Sequence, residues 1–178
     1  MIFIKKNIAG KWTLSFLSGG PVLPATKEIE NPGYWTDLPG DDVKVFSGTA
    51  QYSIHFAKPF FAADNYSLDL GAVQESAEVL LNGNKLAVLI GPSYRFVIPA
   101  AKLKVDNLLQ VIVANGMPNR IVDLEKRGVV WMKFYNTNFS SGMPQNRGGD
   151  GLFTAAKWQP SASGLLGPVT IQALQLEK

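Results

Sequence analysis

The chain carries one histidine, His55, and no cysteine, which leaves little material for nucleophilic or metal chemistry. A Ser-His-Asp arrangement or a His-based metal site needs partners of defined type around the imidazole. His55 falls on the polar phase of an alternating run, so an exposed structural role is expected of it. Paired carboxylates are the remaining hydrolytic chemistry, because glycoside hydrolysis needs only two, roughly 5–10 Å apart. Asp69, Glu75, Glu78, Asp123, Glu125 and Asp150 are available. Nothing in their spacing pairs them, since any two loops at one end of a β-rich domain can meet. Glu75 and Glu78 read as surface charge, and no catalytic residue is recognised.

Aromatic residues offer a different chemistry. Trp131, Phe134, Tyr135 and Phe139 crowd one segment, with Trp158 beyond it. Sugars are held by an aromatic face against the apolar side of a pyranose, with a few polar groups fixing orientation. The expected sugar contacts are Trp131, Tyr135 and Trp158, with Asn119, Arg120, Asn136, Arg147 and Asp150 as polar partners. Asn115 and Asn138 lie in the same stretch. The competing reading is that these rings pin a long loop or pack against another domain. Asn146-Arg-Gly-Gly-Asp-Gly is a glycine-rich turn without the strand, helix and Lys-Ser/Thr that a phosphate loop requires, so no nucleotide is expected. No cofactor or metal is expected either. A structural calcium ion on carbonyls with Asp150 or Asp106 stays open, although the spacing is not that of an EF-hand.

The elements that would position these groups follow from length and pattern. At 178 residues the chain suits one domain burying roughly 70% of its unfolded surface. Seventeen Lys and Arg against fourteen Asp and Glu give a net charge of +3. The basic residues form only short clusters, which excludes a nucleic-acid partner. No stretch approaches the ~20 apolar residues of a membrane helix. The start is apolar first and basic second, the reverse of a signal peptide. The chain reads either as cytoplasmic or as a segment lacking its export signal or neighbouring domains.

Period-2 alternation marks Trp12 to Phe16, Ala50 to Phe56, Tyr66 to Leu70 and Val169 to Ala173 as strands. Leu108 to Ala114 is nearly continuous, as for a strand covered on both faces. Ala77 to Leu81 and Lys85 to Ile90 flank Asn82-Gly83, which predicts a type I′ hairpin because both central positions need φ > 0. Pro59, Pro92, Pro99 and Pro118 are expected between strands. Ile121 to Lys126 allows one or two helical turns before Gly128. Residues 18–42 and 115–168 are expected to be irregular, and a long loop of this kind is where a binding surface is sought. The prediction is a single all-β antiparallel sandwich or jelly roll over residues 1–178. Its parts would be an N-terminal strand and irregular loop (1–45), core strands (46–114), a long aromatic-rich loop (115–168) and a final strand (169–178).

Four segments carry a family resemblance. They are Phe46-Ser-Gly-Thr-Ala-Gln-Tyr-Ser-Ile-His-Phe, the run Leu68-Asp-Leu-Gly-Ala-Val to Leu81-Asn-Gly-Asn, Asp106 to Asn115, and Ser163-Gly-Leu-Leu-Gly-Pro-Val-Thr-Ile. In order, they resemble the galactose-binding-like jelly-roll module of family 2-type glycoside hydrolases and the related large α-L-rhamnosidases. Lys85-Leu-Ala-Val and the aromatic stretch 128–139 depart from the family pattern. The resemblance implies a non-catalytic carbohydrate-binding or accessory module serving polysaccharide degradation. Its partners would be a carbohydrate and the catalytic domain of a parent hydrolase, periplasmic or extracellular where that hydrolase is exported. In the family the acid and nucleophile lie on a separate barrel, so no catalytic residue is carried over. The alternatives are a purely structural domain docked on a catalytic partner, or a small stand-alone glycosidase.

Overall fold

The alternating runs pair into two facing antiparallel sheets. In the computed structural model, which describes residues 5–131 and 143–174, the strands are β1 (Lys5–Asn7), β2 (Trp12–Gly20), β3 (Lys27–Ile29), β4 (Ser47–Ala57), β5 (Asn65–Asp69), β6 (Ala72–Gln74), β7 (Ser76–Leu81), β8 (Asn84–Ile90), β9 (Arg95–Pro99), β10 (Asp106–Ala114), β11 (Gly164–Gly167) and β12 (Thr170–Leu174). One sheet runs β3-β2-β4-β10-β7-β8, the other β1-β12-β5-β9, and β11 pairs with β6 as a small third ladder. This is the all-β sandwich the patterning requires, with the first and last described strands side by side at Lys6 and Ile171.

Between the sheets lies one apolar core. Trp12, Leu14, Tyr52, Val79, Leu109 and Val111 project from the larger sheet toward Leu68, Ile98 and Ile171 of the smaller, all essentially inaccessible. At ~25 cal/mol per Å² of buried apolar surface, such side chains each contribute about 1.5–3 kcal/mol. Tyr52 and Tyr66 bring hydroxyls into this core, and these donate to the Gly33 and Phe61 carbonyls, each at 2.7 Å.

The hairpin forms as read. Asn82 and Gly83 have φ of 54° and 80°, and Leu81 pairs with Asn84 across the two-residue turn. Asn82 also reaches beyond the turn: its Oδ1 accepts from the Leu108 N–H at 3.0 Å, and its Nδ2 donates to Asn107 Oδ1 at 3.1 Å. Gly71 serves a close approach. A Cβ there would lie 2.3 Å from the Gly167 carbonyl oxygen, where β5 gives way to β6 beside β11.

Several expectations are corrected. Residues 18–42 are not wholly irregular: β2 continues to Gly20, β3 follows, and a 3-10 turn (Trp35–Asp37) leads to a short helix, α1 (Asp41–Val45). A second helix, α2 (Pro118–Lys126), occupies the start of the long segment. Pro118 suits its first turn, where no N–H partner is needed. The Gly128 N–H bonds to Glu125 O and the Val129 N–H to Leu124 O, a Schellman ending. Strand β10 is not covered on both faces, because Leu109, Val111 and Val113 are buried while Leu108, Gln110 and Ile112 are only half-buried. Pro99 lies within a strand, as the last residue of β9 at the edge of its sheet, a position that wastes no ladder donor.

Candidate functional site

The two helices and the segment after residue 143 gather at one end of the larger sheet. Asn115, just past β10, ties the end together. Its Oδ1 accepts from the Gly48 N–H at 2.8 Å, and its Nδ2 donates to Phe46 O at 3.1 Å and to Ser163 Oγ at 2.9 Å. One amide therefore joins three of the four motif segments. Beneath it, Phe16, Trp35 and Phe46 pack edge to face, with centroids 4.9–6.1 Å apart, a geometry that ring quadrupoles favour.

Two of the predicted aromatic contacts, Trp131 and Trp158, are brought together through a residue the sequence reading did not single out. Phe153 stands edge-on between Trp131, at 6.4 Å, and Trp158, at 5.9 Å. The Trp131 indole N–H donates to Glu125 Oε1 at 3.2 Å, and the Trp158 indole N–H to Asn146 Oδ1 at 2.8 Å. The Thr154 hydroxyl donates to the other Glu125 oxygen. All three rings are half-buried, so part of each faces solvent while the two indole N–H groups are anchored. Tyr135 and Asn136 lie outside the described residues, as do Phe134, Asn138 and Phe139.

The polar candidates divide. Asn119 is buried on α2, and its amide exchanges two hydrogen bonds with the Ser161 main chain, at 2.8 and 2.7 Å. Arg120 lies on the same helix with Nη1 3.8 Å from Asp123. Arg147 and Asp150 sit apart from both on the exposed glycine-rich turn. Asp150 Oδ1 accepts from the Leu152 N–H at 3.0 Å, and the Arg147 carbonyl accepts from Lys157 Nζ at 2.7 Å. Signals for Phe153 and Thr154 were present only as residue types, because nothing local says that they face Trp131 and Glu125.

Five of the six candidate carboxylates, Asp69, Glu78, Asp123, Glu125 and Asp150, are held by cations or donors. Asp69 meets Arg95 at 2.7 Å, Glu78 meets Lys85 at 2.8 Å, and Asp123 meets Arg127 at 2.7 Å. His55 is exposed, with Nδ1 2.9 Å from Asp106. Burial works to raise the Asp69 carboxyl, but the Gly71 N–H, Arg95 and Lys5 outweigh it and hold the group below the usual range. Burial pushes the Tyr52 phenol well up. Among the described residues no three His, Asp or Glu side chains are placed to hold a metal ion, and no helix is long and apolar enough to cross a membrane.

No family model matches the chain. It is 31% identical to a candidate beta-glucuronidase of Formosa agariphila, over 94% of this chain and 15% of that protein. Among solved structures, a rhamnosidase from Novosphingobium sp. PP1Y superposes with a TM-score of 0.69 at 27% identity, over 94% of this chain and 15% of that one. A family 2 beta-galacturonidase from Eisenbergiella tayi, at 19% identity, shares the fold with a TM-score of 0.56 over 98% of this chain and 25% of its own. The chain thus spans only about a sixth to a quarter of these three proteins. Over nearly its whole length it is similar to one β-sandwich module of much larger glycoside hydrolases of the family 2 and rhamnosidase types, as the hairpin and its neighbouring motifs imply.

Proposed function

We propose that this chain is a non-catalytic carbohydrate-binding or accessory module of a glycoside hydrolase acting in polysaccharide degradation. The observation that carries the reading is the match of 94% of the chain to only 15% of a large relative, which leaves ample room elsewhere for a catalytic domain. The ion pairs at Asp69, Glu78 and Asp123 support it, because a general acid or nucleophile must be open to substrate. In this reading Trp131 and Trp158 offer their solvent-facing sides to a sugar ring, and Arg147 and Asp150 approach from the glycine-rich turn. Tyr135 and Asn136 belong to the same proposed surface. Polysaccharides are too large to enter a cell, so the parent enzyme would act in the periplasm or outside.

A glycan array of plant and host polysaccharides, followed by calorimetry, tests this. Trp131→Ala or Trp158→Ala should weaken binding by about 1–3 kcal/mol, the size of an aromatic anchor. A folded protein that binds nothing on the array removes the recognition role. That outcome would favour the second reading, a structural module docked on its catalytic domain. Val88 and Ile90 favour it, since both are more than half exposed on β8, the edge strand of the larger sheet. Activity of the purified chain on nitrophenyl glycosides would instead establish a stand-alone glycosidase.

A further inference from the structure

Asparagine followed by glycine occurs twice in the chain, at Asn82-Gly83 and at Asn115-Gly116. This pair has a chemistry of its own. The main-chain nitrogen of the glycine can attack the asparagine Cγ, because the second residue has no Cβ to obstruct the approach. A C–N bond closes a five-membered imide as the Cγ–Nδ2 bond breaks, and ammonia departs with the glycine amide proton. Water then opens the imide at either carbonyl. The products are aspartate, or isoaspartate with the main chain rerouted through the side chain.

The two pairs are alike in sequence and differ in surroundings. The Asn115 amide is tied to Gly48 N–H at 2.8 Å, Ser163 Oγ at 2.9 Å and Phe46 O at 3.1 Å. Its main-chain N–H is bonded as well, to Gly48 O at 3.1 Å. Gly116 is hemmed in: a Cβ there would meet the Glu75 carboxylate at 3.0 and 3.3 Å and Pro118 Cδ at 3.3 Å. Closing the imide would need the amide to leave three partners and the next peptide to swing through filled space.

Asn82 stands at the tip of a two-residue turn. Gly83 is exposed, and a Cβ there would meet nothing within 4 Å. The Asn82 amide is held at longer range, 3.0 Å from the Leu108 N–H, 3.1 Å from Asn107 Oδ1 and 3.5 Å from Lys102 O. Fraying of this turn frees only β8, the edge strand, and local openings of such elements cost far less than global unfolding. Releasing Asn115 instead parts the start of β4 from the segment leading into β11.

We infer that Asn82 is a site of spontaneous covalent modification, deamidated by water in the folded protein, while packing protects Asn115. The change works against the fold. Aspartate at position 82 turns a carboxylate oxygen on Asn107 Oδ1, and isoaspartate lengthens the main chain of a turn that pairs Leu81 directly with Asn84. An aged molecule therefore unfolds more easily than a fresh one.

Peptide mapping by mass spectrometry tests this on the full chain, incubated at mildly alkaline pH in native buffer and in concentrated urea. Asn82→Asp supplies the reference for the aspartate product. In urea the two sites should convert at rates within about twofold of each other, because the unfolded chain treats them alike. In native buffer Asn82 should convert at least tenfold faster than Asn115. Equal native rates, or a faster Asn115, would overturn the proposal. The converted fraction carries one more negative charge, so ion exchange separates it from intact protein. Its urea midpoint should lie below that of the intact fraction, and coincident midpoints would overturn the structural consequence.

Discussion

The side-chain amide of Asn119 and the main chain of Ser161 exchange two hydrogen bonds, at 2.8 and 2.7 Å, across 42 residues of sequence. An amide that reads as a sugar ligand in the linear sequence thus fastens the end of the long segment to α2. The pair is the hinge pin of the site end. It holds the loop carrying Trp158 against the helix that carries Glu125.

Asn119→Ala removes both bonds from a buried position, strands the Ser161 N–H and leaves the Ser161 carbonyl only the Ser163 hydroxyl, at 3.2 Å. Leaving a buried polar group unsatisfied costs about 1–3 kcal/mol, so urea unfolding should show a loss in that range. Amide exchange over residues 143–163 should quicken more than in β4 or β10. A loss below ~0.5 kcal/mol would mean that the loop is held by other contacts.

Asn82→Asp separates the two duties of the hairpin residue. Aspartate tolerates the left-handed turn conformation and can still accept from the Leu108 N–H. Its second oxygen, however, would face Asn107 Oδ1, which now receives the Asn82 amide at 3.1 Å. At neutral pH the variant should be less stable by about 1–2 kcal/mol. The deficit should shrink in acid, where the protonated carboxyl can donate again, and denaturant midpoints at two pH values would show this.

Asp69→Asn probes a carboxyl that its donors hold below the ordinary range. The folded carboxyl holds its proton less tightly than its ordinary value of 3.8 implies. Its stabilising contribution is therefore complete above that value and lost as pH falls through the lower, folded one. The melting temperatures of wild type and variant should differ most near neutrality and converge below about pH 4. A gap that does not change with pH would assign the effect to packing instead.

Tyr52→Phe tests the buried phenol. Burial raises its ionisation above the ordinary value of 10.0, so the folded state keeps the proton longer than the unfolded one. That contribution is complete below about pH 10 and lost as pH rises beyond it. Removing the hydroxyl, and with it the bond to Gly33 O at 2.7 Å, should cost about 1 kcal/mol at pH 7. The variant should also lose part of the alkaline fall in stability seen by thermal melts.

The larger sheet was legible because its signals are local. Trp12 to Phe16, Ala50 to Phe56 and Ala77 to Leu81 alternate strongly enough to declare which side is buried, and Asn82-Gly83 declares the turn between β7 and β8. Strands β1, β3, β6 and β11 escaped notice because they are three or four residues long, too short for periodicity to rise above composition, and β9, Arg95–Pro99, carries no polar–apolar alternation. Helix α2 carried its own start and stop in Pro118 and Gly128. Its nine residues are marginal in isolation, however, and packing against α1 and the loop supplies what propensity does not.

By itself, the sequence determined the sandwich and the hairpin, since each rests on side-chain alternation or turn chemistry within a few residues, while the kinship with a module of large glycoside hydrolases rests on the resemblance of four motif segments. It also supplied the aromatic and amide groups of the site as residue types. Only the tertiary structure decided which of them meet: that Phe153 bridges Trp131 and Trp158, that Glu125 holds an indole, and that Asn119 is tied to Ser161. Several of these relations join distant residues, 22 positions apart for Trp131 and Phe153 and 42 for Asn119 and Ser161. Chain closure over such distances is set by how the sheets pack and by where the loops must return, and no local pattern encodes it.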